Sequence, residues 1–437
     1  MAKGWKVRMK NGSLPFFLTF LLLSSFTMAL SGPAQPEVLV LDVARSVELA
    51  LANHPSLLRA EARIQEAKGK TEEARSTKRP AVALDASSTR TEPVSQLEVS
   101  SPLGTQRFKL GEESTYAIRV GLRQLISSFG RAENGILARE LAELAAREDS
   151  ERQKAEIAWL ARRDFYSLLK ARELALIGSE LIGNSEAHLK TAKDRFEAGT
   201  VARYDIIRAE VELARAKRNL IILKNAEELA RAAFLNTLVL SLDTRFELRP
   251  PPPAPPLHPV PSSSPTEALS NRPEIKAARF ELEMAQKLLA SAKSGSNPQL
   301  SILGNYNWRT VTTFTQSPTW DATVALSVPL YDGRLTRARV EQAEAVLSQL
   351  NASFSELEKG VTLEVKQAAL TLKEAEERLK TTEKEVEQAQ EAGLGASLEL
   401  SDAELSVNMA KTNRINAMYD YQVALAGILR AIGKTND

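Results

Sequence analysis

The chain has 437 residues, with 57 Lys+Arg against 55 Asp+Glu, 43% hydrophobic residues, 5% aromatic residues and no cysteine. Charge this balanced argues against a basic nucleic-acid binder, and zero cysteine removes disulfides, thiolate metal sites, cysteine nucleophiles and a lipidated amino-terminal cysteine. A mean hydropathy of −0.23 excludes a bundle of many membrane helices and suits a helix-rich chain made mostly for water.

The amino terminus points to export. Lys3, Lys6, Arg8 and Lys10 precede an apolar run from Leu14 to Leu30, and small residues follow at Ala29, Ser31 and Ala34. Charged, apolar, small is the order of a secretory signal, here residues 1–31. The alternative is a membrane anchor. No later stretch approaches the roughly 20 apolar residues that a spanning helix needs.

The rest is written twice. Ala50 to Pro80 matches Ala268 to Pro298 at a constant offset, with Asn53/Asn271, Pro55/Pro273, Ala67/Ala285 and Pro80/Pro298 among the identical pairs. Glu197 to Ile221 matches Glu391 to Ile415, pairing Glu197-Ala198-Gly199 with Glu391-Ala392-Gly393. Self-similarity of this kind marks duplicated structural units. The reading is a first repeat over 32–249, a proline-rich linker over 250–265 and a second repeat over 266–437. Each repeat runs helix, strand, strand, helix, helix.

The strands alternate with period two. Val82, Leu84 and Ala86 oppose Ala83, Asp85 and Ser87; Tyr116, Ile118, Val120 and Leu122 oppose Ala117, Arg119, Gly121 and Arg123. In the second repeat Leu300, Ile302, Tyr306 and Trp308 oppose Ser301, Asn305, Asn307 and Arg309, and Trp320, Val324 and Leu326 oppose Asp321, Thr323 and Ser327. Segments of about 10 residues with one apolar face fit tilted transmembrane barrel strands, but they also fit two half-buried hairpins of a soluble protein. In lipid an open edge leaves unpaired backbone groups, so four strands would need neighbouring copies to close a barrel, and a trimer supplies twelve. The connections near 91–115 and 310–319 read as loops.

Arg131 to Glu197 lacks a strong stop, and Gly178 and Gly183 are the points where it would loosen. At about 1.5 Å per residue it reaches roughly 100 Å. Leucines at spacings of three and four (Leu137, Leu141, Leu144; Leu213, Leu220, Leu223) suit coiled-coil packing. Gly199 and Gly393 read as reversals that turn one long helix into the next.

In this combination of features the chain resembles the TolC-like outer-membrane efflux protein (outer membrane factor) family. Ala50–Pro55 (ALANHP), Glu197–Asp205 (EAGTVARYD), Val324–Arg334 (VALSVPLYDGR) and Tyr419–Gly433 (YDYQVALAGILRAIG) carry the resemblance, and Gln124–Arg131 (QLISSFGR) is the first-repeat counterpart of the third. The resemblance implies a mainly α fold with a small β-barrel contribution: a homotrimer whose antiparallel coiled-coil hairpins form an α-barrel below a 12-stranded barrel. It implies an outer-membrane exit duct of a tripartite efflux or type I secretion system, with a long periplasmic extension. Its partners would be outer-membrane lipid, a periplasmic adaptor (membrane fusion protein) and an inner-membrane RND or ABC pump.

The same resemblance assigns the adaptor-contact tip to Gly199, Thr200, Val201, Gly393, Leu394 and Gly395, and a pore constriction to Asp205, Glu399 and Asp402. Glu399 and Asp402 share a helix face by spacing, and a ring of such carboxylates would favour cations. The competing reading of these carboxylates is a solvated coiled-coil face. Some relatives carry an arginine where this chain has Gly395, and Arg203 on the other hairpin is the alternative source of that charge.

Enzyme chemistry finds no motif. His54, His188 and His258 fall in different elements, and no HExxH, P-loop or nucleophile elbow is present, so the expectation is no catalytic residue and no cofactor. A soluble periplasmic coiled-coil scaffold or adaptor is the alternative function, although an adaptor would have one hairpin rather than two.

Overall fold

The computed structural model describes residues 39–250, 264–309, 318–392 and 400–434. The first repeat opens with β1 (Leu39–Leu41), α1 (Val43–Asn53) and α2 (Pro55–Ser76). The Asp42 carboxylate caps α1 by accepting from the Arg45 amide at 2.7 Å. Pro55 cannot continue a helix but suits its first turn, so it ends α1 and starts α2. His54 Nδ1 accepts from the Ser56 amide there at 3.3 Å.

Next come β2 (Ala81–Arg90), β3 (Gln96–Ser101), β4 (Gly104–Lys109) and β5 (Ser114–Ser127), followed by α3 (Arg131–Glu197), α4 (Arg203–Thr237) and β6 (Phe246–Leu248). The second repeat has α5 (Pro265–Asn271), α6 (Pro273–Lys293), β7 (Gln299–Arg309), β8 (Thr319–Ser327), α7 (Leu335–Ala392) and α8 (Leu400–Ala431). Its first helix is broken at Pro273 as the first repeat's is at Pro55. The opening helix expected in each repeat is therefore two helices. The segment 91–115, expected as a loop, holds the β3–β4 hairpin, where Leu97 faces Phe108 and Glu98 pairs with Arg107. The expected loop at 310–319 falls largely outside the described residues.

Four strands form one antiparallel sheet in the order β2-β5-β7-β8. Side chains alternate across a sheet, so the register decides which residues share a face. Leu84, Val120, Tyr306 and Trp320 align in one row, and Asp85, Arg119, Asn307 and Thr319 align in the next. β2 and β8 are the outer strands of this sheet. β6 pairs instead with β1, and the Arg249 amide donates to Leu41 O at 2.8 Å.

The long helices form two hairpins, α3 with α4 and α7 with α8; α6 packs on both α3 and α7, and α8 on α3. One core gathers Phe165, Phe234, Leu235 and Leu238, with the Phe165 and Phe234 rings 6.0 Å apart. A second gathers Ile275, Val365, Leu372, Ile428 and Ile432. Along the helices alanine is the commonest buried residue, as at Ala138, Ala145, Ala209, Ala216 and Ala417. Alanine permits close approach, and the leucine stripe differs from expectation for that reason: Leu137 and Leu144 keep about two fifths of their surface exposed (42% and 40%) within the single chain. Helix α3 runs unbroken through Gly178 and Gly183. Gly178 is a point of contact, since a Cβ there would stand 2.7 Å from Leu223 Cδ1.

Candidate functional site

The β2-β5-β7-β8 sheet has two chemically distinct faces. One carries Val82, Leu84, Ile118, Val120, Leu122, Ile302, Tyr306, Trp308, Trp320, Val324 and Leu326. From Val82 to Ser88 and the residues aligned with them, this face holds no charge among the described residues; Arg90 stands at its hairpin end. Leu84 and Trp320 are 69% and 77% exposed, so no described residue covers them. The opposite face is polar. Arg119 Nε donates to Asn307 Oδ1 at 2.9 Å, and Asn305 Nδ2 to Asp321 Oδ2 at 2.8 Å. An apolar outer band over a polar interior is the pattern of a membrane barrel.

Two corners join this sheet to the helices. Gly130 (φ 109) precedes α3, and Gly333 (φ 65) precedes α7. Both are left-handed positions that favour glycine, in the matching stretches QLISSFGR and VPLYDGR. At the first corner Glu133 accepts from the Gly130 amide (3.1 Å), from the Ser128 hydroxyl (3.0 Å) and from Lys78 Nζ (2.9 Å). The Lys78 hydrogen bond, with help from the backbone and Ser128, holds the Glu133 carboxyl at about 2. At the second corner Asp332 accepts from the Thr336 amide at 2.8 Å.

At the far end α3 reverses into α4. Gly199 (φ 72) takes the left-handed conformation, and the Thr200 amide and hydroxyl both donate to Arg195 O at 2.9 Å. Val201 follows, and Arg203 opens α4. Asp205 accepts from the Ala202 amide at 3.1 Å, which uses its carboxylate as a cap for α4. Gly393, Leu394, Gly395 and Glu399 lie outside the described residues, as does the side chain of Asp402; its backbone falls in the first turn of α8.

Sequence reasoning missed the apolar surface beside this turn. Tyr204, Ile207 and Val211 sit at helical spacing on one face of α4 and are 70%, 51% and 45% exposed. The i, i+3, i+7 spacing was the signal.

Polar ties bind the two hairpins together. Asp420 on α8 accepts from Lys170 of α3 at 2.9 Å and from Arg378 of α7 at 2.6 Å. The Tyr419 hydroxyl donates to Glu173 at 2.6 Å, and burial together with that carboxylate pushes the phenol well above its ordinary range. Arg430 reaches Glu156 at 3.0 Å and lies 4.8 Å from the centre of the Trp159 ring. The buried Arg272 pairs with Glu364 at 2.7 Å. Burial disfavours the Glu364 carboxylate, but Arg272 and Arg430 together outweigh it and hold the group below its usual value. No group of His, Asp or Glu among the described residues is arranged to hold a metal.

The model of the outer membrane efflux protein family matches residues 46–238 and 264–434. No curated protein matches. Among solved structures the chain is similar to a membrane protein from Pseudomonas aeruginosa, with 19% identity, 90% of this chain and 93% of that one covered and a TM-score of 0.75. It is similar to the outer-membrane channel OprN at 20% identity, 90% and 89% coverage and a TM-score of 0.76. The outer membrane protein VceC of Vibrio cholerae gives 17% identity, 90% and 96% coverage and a TM-score of 0.76. These likenesses concern the fold, and the family match replaces the alternative of a soluble scaffold or adaptor. The chain belongs to the outer membrane efflux protein family, the outer-membrane exit ducts of tripartite efflux systems.

Proposed function

We propose that three copies of this chain close one twelve-stranded barrel in the outer membrane and continue it into a helical tunnel in the periplasm. The observation that carries this reading is the four-stranded sheet itself. From Val82 to Ser88 and the residues aligned with them its apolar face is uncharged, and among the described residues its outer strands β2 and β8 have no partner on their outer edges. In hydrocarbon those edges must be paired, and a neighbouring copy offers β8 to β2. The exposed Leu137 and Leu144 support the same packing, since they give a neighbouring helix an apolar row.

In this reading residues 1–31 are a signal removed on export, and 32–249 and 266–437 are two repeats joined by the linker 250–265. The recurring element order supports the division. The tip Gly199-Thr200-Val201, with Gly393-Leu394-Gly395 as its counterpart, meets a periplasmic adaptor. The exposed Tyr204, Ile207 and Val211 give that contact an apolar surface. Glu399 and Asp402, with Asp205, form the acidic constriction. Energy comes from an RND or ABC pump in the inner membrane, because the duct is passive. The test is membrane fractionation with gel electrophoresis before and after heating. An outer-membrane trimer that falls to a monomer on heating supports the proposal, and a soluble periplasmic monomer overturns it.

A further inference from the structure

The polar face of the sheet has a consequence beyond water filling. Five charged side chains lie on it: Arg119, Arg123 and Arg309 against Asp85 and Asp321. Each copy thus gives this face one excess positive charge.

Arg119 stands directly across from Asp85 in the register, yet its guanidinium is held by the neutral amide of Asn307 at 2.9 Å. Asp321 is likewise engaged by a neutral amide, that of Asn305, at 2.8 Å. Arg123 shares its row with Ala81, Leu303 and Thr323, none of them acidic. Among the described residues it makes no hydrogen bond or ion pair. Both Arg119 and Arg123 are exposed. Two guanidinium groups per copy are therefore fixed on one strand, two rows apart, with no carboxylate bound to either.

We propose that Arg119, Arg123 and Arg309, three cations per copy against Asp85 and Asp321, make the polar face of the membrane segment electropositive, so that the exit favours anionic solutes such as phosphates, sulfates and carboxylates. The proposal rests on the trimeric-duct reading, in which this face lines the lumen and nine arginines ring it against six aspartates. Low-dielectric walls focus the field of such a ring into the lumen, rings of arginine are the usual device for anion pores, and a guanidinium binds phosphate oxygens in bidentate fashion. In the same reading the acidic constriction lies at the other end of the duct, which would give the two ends opposite charge.

The test uses the purified full-length protein in planar bilayers, with inositol hexakisphosphate added on one side. At about 0.1 M salt, addition on the barrel side should reduce conductance. The block should fade at about 1 M salt, where the screening length shortens to roughly 3 Å. Replacing Arg119→Gln and Arg123→Gln together should raise the blocking concentration about tenfold or more. The separate pair Asp85→Asn and Asp321→Asn should lower it, a reading that stands even where the arginine variants fail to insert. Absence of barrel-side block overturns the proposal, as does a block confined to the tip side or one unchanged in both variant pairs. Absence of any conductance overturns the duct reading itself and this one with it.

Discussion

Lys170 of α3 and Asp420 of α8, 250 residues apart in sequence, meet at 2.9 Å. Arg378 of α7 completes the site from the other side of Asp420 at 2.6 Å. One carboxylate thus ties three helices drawn from both repeats. Replacing it with Asp420→Ala leaves two cations facing each other in a half-buried place. The site lies between an exposed pair and a buried one, so the expected cost is about 1–2 kcal/mol. Chemical denaturation of native and variant proteins measures it, and Asp420→Glu should recover part of the loss.

Two glycines of α3 should respond in opposite directions. A methyl group at Gly178 would stand 2.7 Å from Leu223 Cδ1 and 3.3 Å from Leu220 Cδ1. Both atoms end flexible side chains, so Gly178→Ala should cost only about 1 kcal/mol. Gly183 has nothing within 4 Å of an added Cβ, and Gly183→Ala should stabilise by about 0.5–1 kcal/mol because alanine restricts the unfolded chain. Denaturation midpoints of the two variants, compared with the native protein, should fall on opposite sides of it.

The barrel-to-helix corner has a pH signature. The Lys78 hydrogen bond chiefly, then the Gly130 and Ser128 bonds, depress the Glu133 carboxyl from 4.5 to about 2. A folded-state value below the unfolded one means stability present above about 4.5 and lost as pH falls through about 2. The stability gap between the native protein and Glu133→Gln should therefore be full near neutrality and close across that window. Glu133 keeps water contact, so the gap is small, and stability measured against pH in both proteins shows whether it closes.

The tip makes two further predictions. Gly199 sits at φ 72, where a side chain costs about 1–2 kcal/mol, so Gly199→Val should weaken adaptor-dependent efflux while the trimer persists. Tyr204→Ala with Ile207→Ala should do the same without backbone strain, since both side chains are exposed. Efflux assays beside trimer gels separate coupling from assembly. At the constriction, Glu399→Ala with Asp402→Ala should shift single-channel selectivity toward anions.

Much of this was legible in the sequence because the period-two and helical signals are strong. The alternation around Arg119 and Trp320 places the strands, and Pro55, Pro273, Gly199 and the YDGR corner place the breaks. Tertiary choices were less legible. Leu137 and Leu144 look like core by spacing, but the chain packs its own helices on neighbouring alanines, which sequence periodicity does not separate. The β3–β4 hairpin escaped because its alternation is short and interleaved with polar residues. Asp205 also caps its own helix through the Ala202 amide, a local bond that composition does not reveal. The Asp420 tie joins residues too distant in the chain for any local pattern to suggest.

The most direct test of the shared barrel uses the absence of cysteine. Single thiols at Ala83→Cys on β2 and at Thr323, Ala325 or Ser327 on β8, all on the polar face of the sheet, would be the only ones in the protein. Within one copy β2 and β8 are separated by β5 and β7, about 14 Å at roughly 4.8 Å per strand, which is far beyond disulfide reach. Oxidation in isolated outer membranes should therefore link different copies, giving dimer and trimer bands with no larger species, for at least one position along β8. A chain that stays monomeric at every position, in membranes where it is shown to be inserted, would contradict the shared barrel.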